Sequence, residues 1–157
     1  MIELDKQDLA ILRLLQEDAA RSTAEIAEKL HMSQSPCWRR INKMEEAGVI
    51  AKRVAIVDRA KVGISLVAFT TINLPAAGRK NMEAFEEAVQ KFDEVVECYT
   101  MTGAWDYMLK IVVRDIEAFE QFVRNHLLEL PMIGEIHSHL AVTEIKNDTA
   151  LPIDQLS

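Results

Sequence analysis

The chain has 157 residues, of which 49% are hydrophobic and 27% are charged, and this composition excludes a disordered or fibrous protein. No apolar run approaches the roughly 18 residues of a membrane helix, and the first residues lack the basic start of a secretion signal, so we expect a cytoplasmic protein. The net charge of −7 is uneven, because residues 1–54 carry nine basic and nine acidic side chains and the remainder carries nine basic and sixteen acidic ones.

The first two helices are predicted from their start signals. Asp5 is a good N-cap, and the residues after it repeat at the helical period in one apolar stripe: Leu9, Leu12, Leu15 and Ala19. Ser22 and Glu25 then have the spacing of a capping box, so a short second helix is expected to run to Leu30.

A third helix is predicted from Ser33 to about Ala47, with Gly48 as its left-handed stop. Its inward face consists of Cys37, Ile41 and Met44, and its outward face is cationic, with Arg39, Arg40 and Lys43. Two helices joined by a tight turn, the second with exposed polar residues and arginines, are typical of a recognition helix that enters the major groove. A small helical bundle with a solvated basic stripe is the alternative.

Beyond Gly48 the pattern becomes extended. Val49–Ile50 and Val54–Val57 suggest a wing or strand, and Lys52 and Arg53 lie between them, where they could meet the DNA backbone. Residues 58–64 are polar and contain Gly63, so we expect a hinge there, between a DNA-binding domain at 1–57 and a second domain at 65–157.

The second domain is predicted to have the order strand, helix, strand, strand, helix, strand. The expected ranges are Ser65–Leu74, Asn81–Phe92, Val95–Thr102, Asp106–Arg114, a helix capped by Asp115, and Glu135–Ile145. This order predicts an α+β protein whose second domain is a ferredoxin-like βαββαβ fold with both helices on one face of the sheet. The opposite face carries apolar residues by parity, so we expect a second subunit to cover it: Val67, Phe69, Val112, Ala141 and Ile145.

The segment Gly103–Asp106 admits two interpretations. Glycine and aspartate are the residues that a turn between antiparallel strands uses, so the segment could be purely structural. Alternatively, glycine allows backbone N–H groups to approach a ligand carboxylate, and Asp106 can pair with an ammonium group. Trp105 could line such a pocket or fill a subunit interface.

Other candidate sites are weaker. His137 and His139 share one face of the last strand but have no third ligand nearby, so we expect no metal. Cys37 and Cys98 are far apart in the sequence and are expected to be free thiols.

At this point the chain resembles the Lrp/AsnC family of leucine-responsive, or feast/famine, regulators over essentially its whole length. The matching features are Leu4-Asp5 with Asp8, Ile11-Leu12, Ser33 through Ile41, Met44 through Ile50, Asp58 with Lys61-Val62-Gly63, and Gly103 through Tyr107. Gln34 departs from the pattern, since many relatives have proline there. The resemblance implies a winged helix-turn-helix, an amino-acid-metabolism regulation (RAM) domain, dimers that assemble further to octamers, and control by an amino-acid effector.

The expected function is therefore that of a sequence-specific DNA-binding transcriptional regulator at the nucleoid, without catalysis or a cofactor. The residues expected to contact DNA are Ser33, Gln34, Ser35, Trp38, Arg39, Arg40, Lys43, Lys52 and Arg53. Those expected to contact the effector are Gly103, Ala104, Trp105, Asp106 and Tyr107. The sirohaem decarboxylases resemble the same family, so an enzyme of this fold is one alternative, and a ligand-binding module that lacks DNA binding is another.

Overall fold

A computed structural model describes residues 3–75 and 78–156. The chain divides into two compact units, the first made of residues 1–56 and 146–157 and the second of residues 57–145. The second domain was expected to run to residue 157, but its last residues pack with the N-terminal unit instead.

Three helices form the N-terminal unit: α1 (Lys6–Glu17), α2 (Thr23–Lys29) and α3 (Gln34–Glu46). Both predicted caps are present, because the Asp5 side chain accepts from the backbone at the start of α1 and Ser22 and Glu25 form a reciprocal capping box before α2. Gly48 has φ of 72°, as its predicted role as a left-handed stop requires. The three helices enclose one apolar core: Ile11, Leu15, Ile26, Ala27, Cys37, Ile41 and Met44.

Residues 49–57 form no paired strand with any part of the chain that the structure describes, so of the two expectations for this segment, a wing or a strand, the structure does not support the strand. A strand needs a neighbour for its backbone N–H and C=O groups, and none is offered here. Val54, Ile56 and Val57 consequently remain exposed.

The C-terminal tail, residues 146–156, belongs to the N-terminal unit and ends in a 3₁₀ turn at Ile153–Leu156. The side chain of Gln16 in α1 makes two hydrogen bonds to the backbone of Leu151 in the tail. Its Nε2 donates to the Leu151 carbonyl at 3.2 Å, and its Oε1 accepts from the Leu151 N–H at 2.6 Å. A cavity of about 680 Å³, lined mainly by apolar side chains, lies between α1, residues 49–56 and the tail.

The second unit consists of β1 (Leu66–Asn73), α4 (Arg79–Val89), β2 (Val95–Thr100), β3 (Tyr107–Val113), α5 (Ile116–Phe122) and β4 (Glu135–Leu140). A single π-helical turn, Val123–Leu127, extends α5. The sheet order is β2-β3-β1-β4 with every pair antiparallel, which confirms the predicted ferredoxin-like fold. Alternate residues of β3 are buried, as the sequence alternation predicts: Tyr107, Leu109, Ile111 and Val113.

The last strand is shorter than expected. It ends at Leu140, so Ala141 and Ile145, which were expected within it, lie beyond it, and Val142 between them is 98% exposed. The hinge at residues 58–64 is an ordered turn, because the Asp58 side chain accepts from the N–H groups of Ala60 and Lys61, and Gly63 has φ of 84°.

Candidate DNA-binding and effector sites

The position of α3 is set by its apolar face. Cys37, Ile41 and Met44 are buried in the core shared with α1 and α2, so the opposite face of the helix is exposed. That face, with the residue that precedes it, carries much of the predicted DNA-contact group: Ser33, Gln34, Ser35, Trp38, Arg39 and Lys43. Trp38 is 55% exposed, an unusual position for an indole in a unit that has its own core.

Ser33 occupies the N-cap position of α3 with an extended backbone, but its hydroxyl makes no capping hydrogen bond. Ser22, the corresponding residue before α2, does cap its helix. The two serines looked alike in the sequence, but only Ser33, at the start of α3, leaves its hydroxyl out of the cap.

Two of the predicted DNA contacts are engaged within the unit. Arg40 Nη1 donates to Asp5 Oδ2 at 2.8 Å and to Asp8 Oδ1 at 2.7 Å, and these two carboxylates raise the pKa of the guanidinium above its usual range. Arg53 Nη2 donates to Glu45 Oε1 at 2.8 Å. Both arginines were predicted to contact DNA, Arg40 from the helical period and Arg53 from its place in the extended segment, but their partners were missed, because neither pattern describes the side chains that neighbouring elements supply.

The cations of this surface that form no ion pair in residues 3–75 and 78–156 are Arg39, Lys43 and Lys52. All three are exposed. Five cationic residues were predicted to contact DNA, but these three carry most of the attraction that this surface can exert on phosphate groups.

The loop between β2 and β3 is the second candidate site. It closes through the Met101 N–H, which donates to the Asp106 carbonyl at 2.8 Å, and Gly103 within it has φ of 105°. A Cβ at Gly103 would meet open space, so glycine is needed there for its backbone conformation and not for lack of room.

This loop is fastened to the end of β1. The Asp106 N–H donates to the Ile72 carbonyl at 3.0 Å, Asp106 Oδ2 accepts from the Leu74 N–H at 2.6 Å, and Asn73 Nδ2 donates to the Ala104 carbonyl at 3.1 Å. These three hydrogen bonds with the consecutive residues Ile72, Asn73 and Leu74 hold the loop against the end of β1, and one of them fixes an oxygen of the Asp106 carboxylate. Asn73 gave no sequence signal for this role.

Trp105 packs against His137 of β4, with ring centroids 4.6 Å apart. His137 pairs with Thr71 in the sheet register, on the face opposite the helices. One of the two histidines considered as metal ligands is thus an aromatic neighbour of the loop, and no three potential metal ligands cluster in the described part of the chain.

Tyr107 lies apart from the other predicted effector residues. Its ring is buried against Phe85 with centroids 4.5 Å apart, and its hydroxyl donates to Glu86 Oε1 at 2.7 Å. Burial, and next the bond to Glu86, raise the pKa of this phenol far above its usual range. These contacts make Tyr107 a core residue.

Comparison with known proteins gives matches over both units. Residues 4–51 match the winged helix-turn-helix DNA-binding family, and residues 67–151 match the Lrp/AsnC ligand binding domain. In the part of the chain that the structure describes, no helix has both the length and the apolar character needed to cross a membrane.

Individual relatives match over nearly the whole length. The chain is 41% identical to the transcriptional regulator AzlB of Bacillus subtilis, covering 99% of both chains. An AsnC family transcriptional regulator from Agrobacterium tumefaciens, known from its crystal structure, is 41% identical with a TM-score of 0.93, covering 98% of this chain and 100% of that one. A transcriptional regulator from Neisseria meningitidis, solved as its complex with L-Met, is 34% identical with a TM-score of 0.94, covering 99% and 100%.

The exposed face of α3, the ferredoxin-like fold of the second unit and these matches lead to one conclusion. The chain belongs to the Lrp/AsnC family of homo-oligomeric transcriptional regulators, with a helix-turn-helix unit that binds DNA and a second unit that is a ligand-binding domain.

Proposed function

We propose that an amino acid, bound at the loop Gly103–Asp106, changes the affinity of this regulator for its operator. The observation that carries the proposal is the position of Asp106, whose Oδ2 is held by the Leu74 N–H while Oδ1 has no hydrogen-bond partner in residues 3–75 and 78–156. A carboxylate fixed at one oxygen and open at the other is suited to receive an ammonium group.

The rest of the loop can bind the carboxylate and the side chain of an amino acid. Gly103, with its positive φ, turns the chain without a side chain, so that backbone N–H groups can approach a ligand carboxylate. Trp105 and His137, which pack on each other, provide an aromatic wall beside Asp106 for an apolar side chain. Ala104 completes the turn, and Tyr107 contributes from the core by fixing the start of β3.

The chemical class of the effector is supported by a relative. The Neisseria regulator, 34% identical over nearly the whole chain, was crystallised with L-Met. An apolar amino acid also agrees with the aromatic wall, so our first candidates are methionine and the branched aliphatic amino acids.

For DNA, we propose that the start of α3 meets base edges and that its flank holds the backbone. Ser33, Gln34, Ser35, Trp38 and Arg39 are exposed at the end of the helix that a helix-turn-helix inserts into the major groove. Lys43 and Lys52 are exposed cations suited to phosphate contacts. Arg53 can join them only by exchanging Glu45 for a phosphate, since the two are paired at 2.8 Å.

We also propose that two chains associate through the sheet face opposite the helices, and that such dimers assemble further, to octamers. Phe69, at the centre of β1, is 39% exposed on this face, and we expect it to be buried when the two chains associate. The protein acts without catalysis or a cofactor, in the cytoplasm at the nucleoid, because its relatives are regulators by name and its ligand is chromosomal DNA.

The test is a paired titration of the full chain. Thermal shift in the presence of each of the twenty amino acids selects the effector, and operator affinity is then measured with and without it. If one equilibrium links both sites, the effector must bind with an affinity changed by the same factor when operator DNA is present. Operator binding that no amino acid alters would contradict the proposal.

A further inference from the structure

The contact between Arg40 and the start of α1 is more elaborate than a surface ion pair. Asp5 and Asp8 form a reciprocal capping box: Asp5 Oδ1 accepts from the N–H groups of Gln7 and Asp8, and Asp8 Oδ2 accepts from the Asp5 N–H at 3.1 Å. The remaining oxygen of each carboxylate accepts from the same nitrogen, Arg40 Nη1. The N-terminus of α1 is thereby joined to the middle of α3 through one atom.

Burial distinguishes this cluster from a pair of solvated charges. Asp8 is the only carboxylate residue in the buried class among the described residues, and the Arg40 side chain is 29% exposed. A buried carboxylate needs a charged partner, since removal of that partner leaves the charge uncompensated in a medium of low dielectric constant. Arg40 therefore cannot move Nη1 to a phosphate group without leaving Asp8 unpaired.

Charge-assisted hydrogen bonds are also directional, whereas apolar packing is tolerant of small rotations. Cys37 and Ile41 keep α3 against the core, but the two bonds to Arg40 fix how far the helix is turned about its own axis. Arg39 immediately precedes Arg40 in the helix, and Lys43 is one turn beyond Arg39, so the same rotation determines where both cations point.

From this geometry we infer that Arg40 is a positioning residue for DNA recognition: it makes no contact with DNA and orients the recognition helix by docking it on the capping carboxylates of α1. The inference rests on the proposed contacts of α3 with DNA. It assigns Asp5 and Asp8, which are acidic, a supporting role in binding a polyanion.

The two possible roles of Arg40 predict opposite changes in DNA affinity when Asp8 loses its charge. If Arg40 contacts phosphate, Asp8→Asn removes a competing negative charge and should strengthen DNA binding. If Arg40 positions α3, the same substitution should weaken binding to a specific site. The full chain is titrated at several salt concentrations with a duplex selected from a random pool by the unmodified protein, and with a shuffled duplex of the same composition.

We expect Asp8→Asn to lower affinity for the selected duplex by about 10-fold to 100-fold, the discrimination of one or two base contacts, and to leave the shuffled duplex unchanged or bound more tightly. Arg40→Gln should do the same without changing the slope of log affinity against log salt, and Arg40→Lys should lie between it and the unmodified protein. Glu28→Gln, which removes an exposed acid of α2, is the charge-matched control and should leave the ratio of the two affinities unchanged.

Stability is separated from positioning in two ways. Each titration is run at a temperature where circular dichroism shows the variant fully folded, so loss of stability alone cannot change the affinity ratio. Asp5→Asn is the second variant, because asparagine is as good an N-cap as aspartate and preserves the helix start while weakening the clamp. It should give a smaller loss in the same direction as Asp8→Asn.

The inference is overturned if Asp8→Asn binds the selected duplex as tightly as the unmodified protein or more tightly. It is equally overturned if Arg40→Gln weakens both duplexes alike and lowers the salt slope by about one, as loss of a phosphate contact would. Arg39→Ala is measured alongside: if it is neutral while Asp8→Asn weakens specific binding, positioning stands and the proposed contact of Arg39 is wrong.

Discussion

The hydroxyl of Tyr107 donates a 2.7 Å hydrogen bond to Oε1 of Glu86 and so ties β3 to the helix that covers it. Burial and this bond place the pKa of the phenol in the folded chain far above its usual value near 10. A phenol whose pKa is raised by folding stabilises the fold fully below about pH 10, and that contribution is lost as pH rises through the folded pKa.

Tyr107→Phe should remove this pH dependence. Between pH 9 and pH 11 the free energy of unfolding of the unmodified protein should fall by about 1 kcal/mol more than that of the variant, from urea titrations at both pH values. Tyr99→Phe is the comparison, because the hydrogen bond from the Tyr99 hydroxyl to Glu97 also raises the pKa of this phenol but its ring is exposed, so this variant should lose less of the pH dependence. Ultraviolet absorbance should show Tyr99 ionising first, and a Tyr107 that ionises near pH 10 would contradict the prediction.

Asp106→Asn should abolish the response to the amino acid and spare the fold. The amide oxygen of asparagine can still accept from the Leu74 N–H, but its NH₂ group presents no charge to a ligand ammonium. Calorimetry should detect no effector binding, while operator affinity without effector stays within about two-fold of the unmodified protein. Asp93→Asn, at an exposed carboxylate of the same unit, should bind the effector normally.

Arg39→Ala and Lys52→Ala should weaken DNA binding in different ways. Loss of a base contact at Arg39 should cost about 1–3 kcal/mol for the operator and much less for unrelated DNA. Loss of a phosphate contact at Lys52 should weaken both alike and reduce the salt slope by about one. Lys91→Ala, an exposed lysine of the second unit, serves as the control, and equal behaviour of all three variants in fluorescence anisotropy would refute the assignment.

Phe69→Glu should prevent self-association. Phe69 lies on the sheet face opposite the helices, where its register partners are Lys110 and His139, and a carboxylate at that position could not be buried against a second apolar face without a large desolvation penalty. Sedimentation velocity should report a monomer for this variant. Ile116→Glu, at a more exposed apolar residue of α5, should assemble like the unmodified protein.

Much of the fold could be predicted from the sequence, because the local signals for helices and strands agree with the burial pattern in the structure. The caps at Asp5 and Ser22, the stop at Gly48 and the alternation of Tyr107 through Val113 each specify local structure without help from the rest of the chain. The predicted end of the last strand was wrong because there the local pattern and the tertiary pairing disagree. Residues 141–145 continue the alternation, yet in residues 3–75 and 78–156 they form no strand ladder beyond the hydrogen bond from the Ala141 N–H to the Val67 carbonyl.

The sites were less predictable than the fold. The sequence expectation placed Arg40 on the outward face with Arg39 and Lys43, but Arg40 lies one helical turn before the buried Met44, at the edge of the buried face. The two carboxylates that hold it come from another helix, so their effect is tertiary. Parity of β3 likewise predicted that Tyr107 points inward, whereas its neighbour in the motif, Asp106, points to the end of β1. Adjacent residues of one motif thus serve the core and the candidate ligand site separately.

The docking of the tail on α1 through Gln16 and Leu151 also orders events during synthesis. The helices of the N-terminal unit precede the sheet domain in the chain, and the tail that packs with them follows it. The sheet domain can therefore fold before the tail docks, and that docking closes a loop that contains the whole ligand-binding domain.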